Sequence, residues 1–240
     1  MAKEMIAVRE ERGVRTLHFS PDWIQGAMRI GRPNTLVLDY TRAMMAALLL
    51  QPRPRSALLI GLGAGSLAKF LYHHYPGTRI TVVEINPRVI DVAREYFCLP
   101  DDPARLSIQV GDGFEFVQKS KRRFDLLFVD GFDHNGRAGP LESLSFYLSC
   151  SARLSQRGVM AANLFGGWRG FKATVKRIES AFSGQVVQLP PCEDGNVILL
   201  GLRGAIPNLR EAELRQRAQI LQAETNLDLA FAIPELRKGA

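Results

Sequence analysis

Apolar residues along this chain come in short unbroken runs, and the runs alternate with stretches of helical spacing. The runs at 57–60, 79–83, 106–110, 124–129 and 159–163 read as strands. Helices are expected between and after them, over 66–75, 87–96, 113–119, 140–154 and 171–182. Asn86 stands as an N-cap ahead of Pro87, and Pro76-Gly77 ends the preceding helix. Two last runs, 185–189 and 196–202, read as an antiparallel pair that closes the sheet. Continuous apolar strands separated by helices mean a sheet covered on both faces. The expected fold is therefore α/β: a Rossmann-like, doubly wound, seven-stranded sheet, mostly parallel with its last strand antiparallel.

The two ends read differently. Short strands at 6–9 and 14–19 flank a turn at Arg12-Gly13, and a third run at 23–30 follows Pro21-Asp22, giving a small N-terminal β-piece. Residues 39–50 predict one buried helix, ended by Gln51-Pro52-Arg53-Pro54-Arg55. Charges at helical spacing over 208–224 predict a peripheral helix. The expected division is a β-hairpin region at 1–38, a nucleoside-binding catalytic domain at 39–204, and a C-terminal helix and tail at 205–240.

Chemistry gathers at one edge of the expected sheet. The first strand runs into Gly61-Leu62-Gly63-Ala64-Gly65-Ser66, where glycines allow a sharp turn and a close backbone approach to a ligand. Backbone N–H groups and a helix N-terminus then face that ligand. The next strand ends in Glu84, placed to accept hydrogen bonds from a ribose diol. Asp112, before Gly113, and Asp130 follow the next two strands, with Asp133 three residues on. Asp112 can accept from an adenine amine, cap the helix that starts at Gly113, or do both. Asp133-His134-Asn135-Gly136 reads equally as a polar turn. In an open α/β sheet, ligands lie outside the carboxyl ends of the strands, so these features together describe a nucleoside site.

The net charge of +7 raises the question of an acidic partner. Basic residues cluster at Arg53, Arg55 and 119–123, but no basic stretch is interleaved with aromatics, so no nucleic-acid partner is expected. Three widely spaced cysteines fit a reduced, cytoplasmic setting, and the four histidines make no metal set. No apolar run approaches the ~20 residues of a membrane span, and the N-terminus lacks a signal-peptide core. The small β-piece buries little by itself, which favours packing on the main domain or a homodimer.

The segments 61–65, Val83-Glu84-Ile85-Asn86-Pro87, Gly111-Asp112-Gly113 and Val129-Asp130-Gly131-Phe132-Asp133 together resemble the spermidine synthases, the polyamine aminopropyltransferases. The resemblance extends over roughly 5–203, and Trp23-Ile24-Gln25 is similar to the family's N-terminal glutamine motif. It implies a class I S-adenosylmethionine methyltransferase fold and an adenosyl-sulfonium co-substrate, decarboxylated S-adenosylmethionine, without a metal. It also implies cofactor contacts from Gln25, Gly61, Gly63, Gly65, Glu84, Asp112 and Gly113. Asp130 matches the catalytic aspartate, Asp133 the second acid that binds the amine acceptor, and Tyr40 the tyrosine lining the same pocket. The acceptor would be a small diamine or polyamine.

Two positions depart from the family pattern. Ala64 stands where the glycine loop normally carries an aspartate that grips the transferred aminopropyl group, and Thr41-Arg42 replaces a polar residue and a glutamate. Glu193 and Asp194 offer negative charge in the segment 190–195, which replaces a tyrosine-containing loop. Three readings follow: aminopropyl transfer, methyl transfer from intact S-adenosylmethionine, and non-catalytic nucleoside binding.

Overall fold

The computed structural model describes residues 6–20, 23–131, 139–207 and 209–238. Three strands, β1 (Ala7–Glu11), β2 (Val14–His18) and β3 (Ile24–Arg29), form a small antiparallel sheet in sequential order. The main sheet contains β4 (Ser56–Ile60), β5 (Arg79–Glu84), β6 (Leu106–Val110), β7 (Phe124–Val129), β8 (Leu154–Phe165), β9 (Val186–Gln188) and β10 (Asn196–Leu202). Their order is β6-β5-β4-β7-β8-β10-β9. β10 alone among these runs antiparallel to both neighbours. The expected α/β architecture is thus present, including its closing antiparallel pair.

Alternation along the strands explains why apolar runs rather than amphipathic ones were needed. Ala57 and Leu59 enter one core, Leu58 and Ile60 the other. On β7, Leu126 and Phe128 face the first core while Phe124, Leu127 and Val129 face the second. The first core is closed by α2 (Ala47–Leu50), α3 (Ser66–His74) and α4 (Pro87–Tyr96), and the second by α6 (Leu144–Arg153) and α7 (Phe171–Ala181). Asn86 caps α4 by accepting from the Arg88 N–H, with Pro87 in the first turn, as the sequence predicts.

Three expected elements change shape. The single helix over 39–50 divides into α1 (Asp39–Met44) and α2, because the Met45, Ala46, Leu48 and Leu49 N–H groups bond three residues back and tighten the turn. The helix over 140–154 opens as a 3-10 turn, Gly139–Glu142, before Ser143 caps α6 by accepting from the Phe146 N–H. The strand at 159–163 extends to Leu154–Phe165. Its pairing jumps from Phe124↔Leu154 to Leu126↔Val159, so the polar residues Ser155, Gln156 and Arg157 sit in the irregular stretch.

The C-terminal segment carries more than one helix. After α5 (Gly113–Lys119) on the second face, the chain ends in α8 (Glu211–Thr225) and α9 (Ile233–Lys238). Leu214, Ala218, Leu221, Leu229, Ala232 and Leu236 are buried in the first core, and the Arg217 Nη1 donates to the Leu49 carbonyl. The charges on α8 mark only its outer face. Leu229→Ala is therefore expected to cost about 2–5 kcal/mol. Urea unfolding should show a lower midpoint at unchanged slope.

Candidate active site

The carboxyl ends of β4, β5, β6 and β7 open into a cavity of about 760 Å³, a size that suits a small molecule. Hydrogen bonds continue past the strand ends: the Gly61 N–H donates to Val83 O, the Asp130 N–H to Ile60 O, and the Gly111 N–H to Glu84 O. That lateral ladder sets the glycine loop, Glu84, Asp112 and Asp130 in register along one edge.

The glycine loop is wedged between neighbours. Gly61 has φ +94°, and a Cβ there would lie 2.2 Å from the Asp130 carbonyl oxygen. Gly63, at φ +53°, would meet the Gln25 carbonyl at 2.9 Å. Gly61 and Gly63 line the cavity, whereas Gly65 does not: it turns the chain into α3 and abuts Leu99. Gly113 lines the cavity as well, and only a hydrogen fits where α5 passes Ile60.

Glu84 is buried and ties two turns together. Its Oε2 accepts from the Leu62 N–H and its Oε1 from the Asn86 N–H, both at 2.9 Å. The same side chain lines the cavity. Asp112 caps α5 through Oδ1 alone, accepting from the Phe114 and Glu115 N–H groups. Asp112 also lines the cavity, and capping α5 does not occupy its Oδ2.

Asp130 sits at the centre. The Asn163 Nδ2 donates to its Oδ1 at 2.9 Å, and the Asn196 Nδ2 donates in turn to the Asn163 Oδ1 at 2.8 Å. The Tyr40 hydroxyl faces the same carboxylate. Burial pushes Asp130 up to about 6; the bonds from Asn163 and Tyr40 oppose this, and the charge on Glu84 adds to it. Burial, then the Asp130 charge, raises the Tyr40 phenol well above its usual range, so it remains a neutral donor.

Gln25 and Tyr40 both line the cavity, as does Asp194; Glu193 is not part of the wall. Asp133 lies outside the described residues. Arg42 is engaged elsewhere: it donates to the Leu36 and Val37 carbonyls and pairs with Asp39. It therefore does not place a cation in the cavity. Ala64 also faces away, buried against β3, where a Cβ on Gly26 would lie 2.6 Å from the Ala64 Cβ. Sequence reasoning did not assign Asn163, Asn196 or the aromatic rim formed by Trp23 and Phe165, whose rings lie 5.7 Å apart. Asn163 closes an apolar run in the strand beside Asp130, which is the signal that could have found it.

The family described as the spermine/spermidine synthase domain matches residues 39–166. A polyamine aminopropyltransferase of Chromobacterium violaceum is 35% identical over 234 residues, spanning 97% of this chain and 89% of the relative. Another, from Neisseria meningitidis serogroup B, is 34% identical over 93% of this chain and 85% of its own length. Among solved structures, a spermidine synthase in complex with the transition-state analogue AdoDATO superposes with a TM-score of 0.65 at 23% identity, over 96% of this chain and 88% of that one. Human methyltransferase-like protein 13 in complex with SAH gives 0.68 at 24% identity, over 79% and 93%. These two likenesses establish the shared fold. The sequence match over nearly the whole length, on top of the matched domain, places this chain in the spermine/spermidine synthase family.

Proposed function

We propose that this protein transfers an aminopropyl group from decarboxylated S-adenosylmethionine to an amine nitrogen of a diamine or polyamine. The observation that carries the reading is Asp130, a partly buried carboxylate held by Asn163 and Tyr40 at the centre of an acid-lined cavity. The residues present suit the adenosyl co-substrate: two glycines bring bare backbone to the cavity wall, Glu84 faces a ribose position, and Asp112 keeps an oxygen for the base. The sulfonium supplies an activated methylene and a neutral thioether leaving group.

The chain's own groups prepare the acceptor. Polyamines are cationic, and Asp130, Glu84, Asp112 and Asp194 give the cavity the opposite sign. Only a neutral amine is nucleophilic, so one proton must leave the attacking nitrogen. Asp130 takes it, because a carboxylate near 6 is ionised at neutral pH yet basic enough to accept. Nitrogen then bonds to the methylene, the carbon–sulfur pair departs with sulfur, and methylthioadenosine results. Tyr40 and Asn163 hold Asp130 in position. Asp133 completes the reading as a second acid for the acceptor, Gln25 as a contact to the co-substrate, and Gly65 as the residue that sets the loop. A homodimer in the cytoplasm agrees with Ile24 of β3 and Ile30 just after it being exposed and with three free cysteines.

One observation favours methyl transfer from intact S-adenosylmethionine instead. Ala64 leaves the glycine loop without the acid that the family pattern carries there. Calorimetric titration separates the two readings. The decarboxylated co-substrate should bind more tightly than the carboxylated form, and the reverse order would overturn aminopropyl transfer.

The pH profile follows from the sign of the Asp130 shift. The ionised form is active, so kcat/KM should fall as pH drops through about 6. Asp130→Asn should lower kcat by roughly 10²-fold or more with little change in nucleoside affinity. Unchanged turnover would remove Asp130 from the role of base. Asn163→Leu deletes a bond that favours the ionised carboxylate, so the acidic limb should move toward neutral pH. A purely structural Asn163 would lower the melting temperature and leave that limb in place.

A further inference from the structure

A second cavity, about 1190 Å³, opens at the other end of the main sheet, near the starts of β4, β5 and β7. Two basic clusters that are remote in sequence meet there. Arg53 and Arg55 come from the loop before β4, Arg79 begins β5, Arg122 and Arg123 precede β7, and Arg217 reaches in from α8. The acid on the cavity wall is Glu224. Asp125 is nearby, but its Oδ2 accepts from the Arg55 and Ser56 N–H groups and its Oδ1 from the Ser155 hydroxyl.

Little of this positive charge is neutralised. Arg53, Arg55, Arg79 and Arg123 have no carboxylate at ion-pair distance among the described residues. Arg122 lies 5.0 Å over the Phe124 ring, and Arg217 uses Nη1 on the Leu49 carbonyl, so both are held in place without losing charge. Guanidinium groups arrayed around a concave space repel one another until an anion enters. Their planar forks match phosphate oxygens two at a time.

We propose that this cavity binds a ligand carrying two or more adjacent phosphates. A single phosphate is too small to touch cations that come from four separate chain segments. A linear oligophosphate meets several at once. An extended nucleic acid fits less well, because the aromatic rings of the wall are only His74 and Tyr75, adjacent in sequence and with Tyr75 partly buried against the core. They make no row of stacking faces for successive bases. The same phosphate chain occurs on a nucleoside triphosphate and in inorganic polyphosphate. Proline rings from Pro52, Pro54 and Pro76 leave an apolar strip beside the cations that a nucleoside could cover. The cavity is one strand length from the transfer site, roughly 15 Å along β4, so its arginines take no part in catalysis.

The test is calorimetry on the full-length protein with inorganic tripolyphosphate, orthophosphate, ATP and a single-stranded RNA oligonucleotide, at low and physiological salt. Tripolyphosphate should bind one to one, roughly tenfold or more tighter than orthophosphate, and weaken as salt rises. R53A/R123A should weaken it roughly tenfold or more, at unchanged melting temperature and unchanged aminopropyl transfer. R94A/K172A, an equal change in net charge on other surfaces, should leave binding as it was. ATP tighter than tripolyphosphate identifies the nucleotide as the source, and equal affinity identifies the inorganic chain. Orthophosphate binding as well as tripolyphosphate, both double variants weakening alike, or RNA displacing tripolyphosphate at lower concentration would each overturn the proposal.

Discussion

Backbone packed directly on backbone at the glycine loop is the constraint on which the rest of this site depends. On one side, Gly61 lies against the Asp130 carbonyl; on the other, Gly63 lies against the Gln25 carbonyl. No side chain fits in either gap. The loop therefore works as a spacer of minimal thickness that brings the end of β7 and the small N-terminal sheet to opposite sides of one cavity. Glu84 then locks the spacer by bonding both the loop and the turn into α4. A looser loop would separate Asp130 from the residues facing it.

Within that frame the electrostatics are a contest. Burial is the largest influence on Asp130 and favours the protonated acid. Two hydrogen bonds pull the other way, and the Glu84 charge reinforces burial. The outcome, near 6, leaves the carboxylate charged at neutral pH but close enough to neutrality to accept a proton. The Asn196–Asn163–Asp130 chain matters because each amide has a fixed direction: the donor end of one meets the acceptor of the next. That ordering holds the carboxylate rotamer without adding charge.

Much of this was legible in the sequence, for identifiable reasons. Strands buried on both faces declare themselves as apolar runs, and a residue at the carboxyl end of such a run is placed by that fact alone. Glu84, Asp112 and Asp130 can be placed at the cavity edge this way, and Asn163 equally. Asn196 could not, because it reaches the site only through the antiparallel register of β10 on β8, which pairs Asn196 with Phe165 across 30 residues of intervening chain. Asp194 likewise needed the turn before β10 to be built. The C-terminal helices were underread because charge spacing on α8 concealed a buried stripe of Leu214, Ala218 and Leu221. The role of Ala64 was open for a related reason: sequence names the residue, but only packing shows that its methyl group points at Gly26.

That last contact binds two positions into one heritable unit. Ala64 is nearly closed to solvent, and the strand opposite presents a glycine whose hydrogen occupies the remaining space. Enlarging residue 64 drives a larger side chain into β3, and enlarging residue 26 drives one into the loop. Neither site can drift alone without moving a whole sheet. A larger residue at 64, an acid included, therefore calls for a compensating shift of β3.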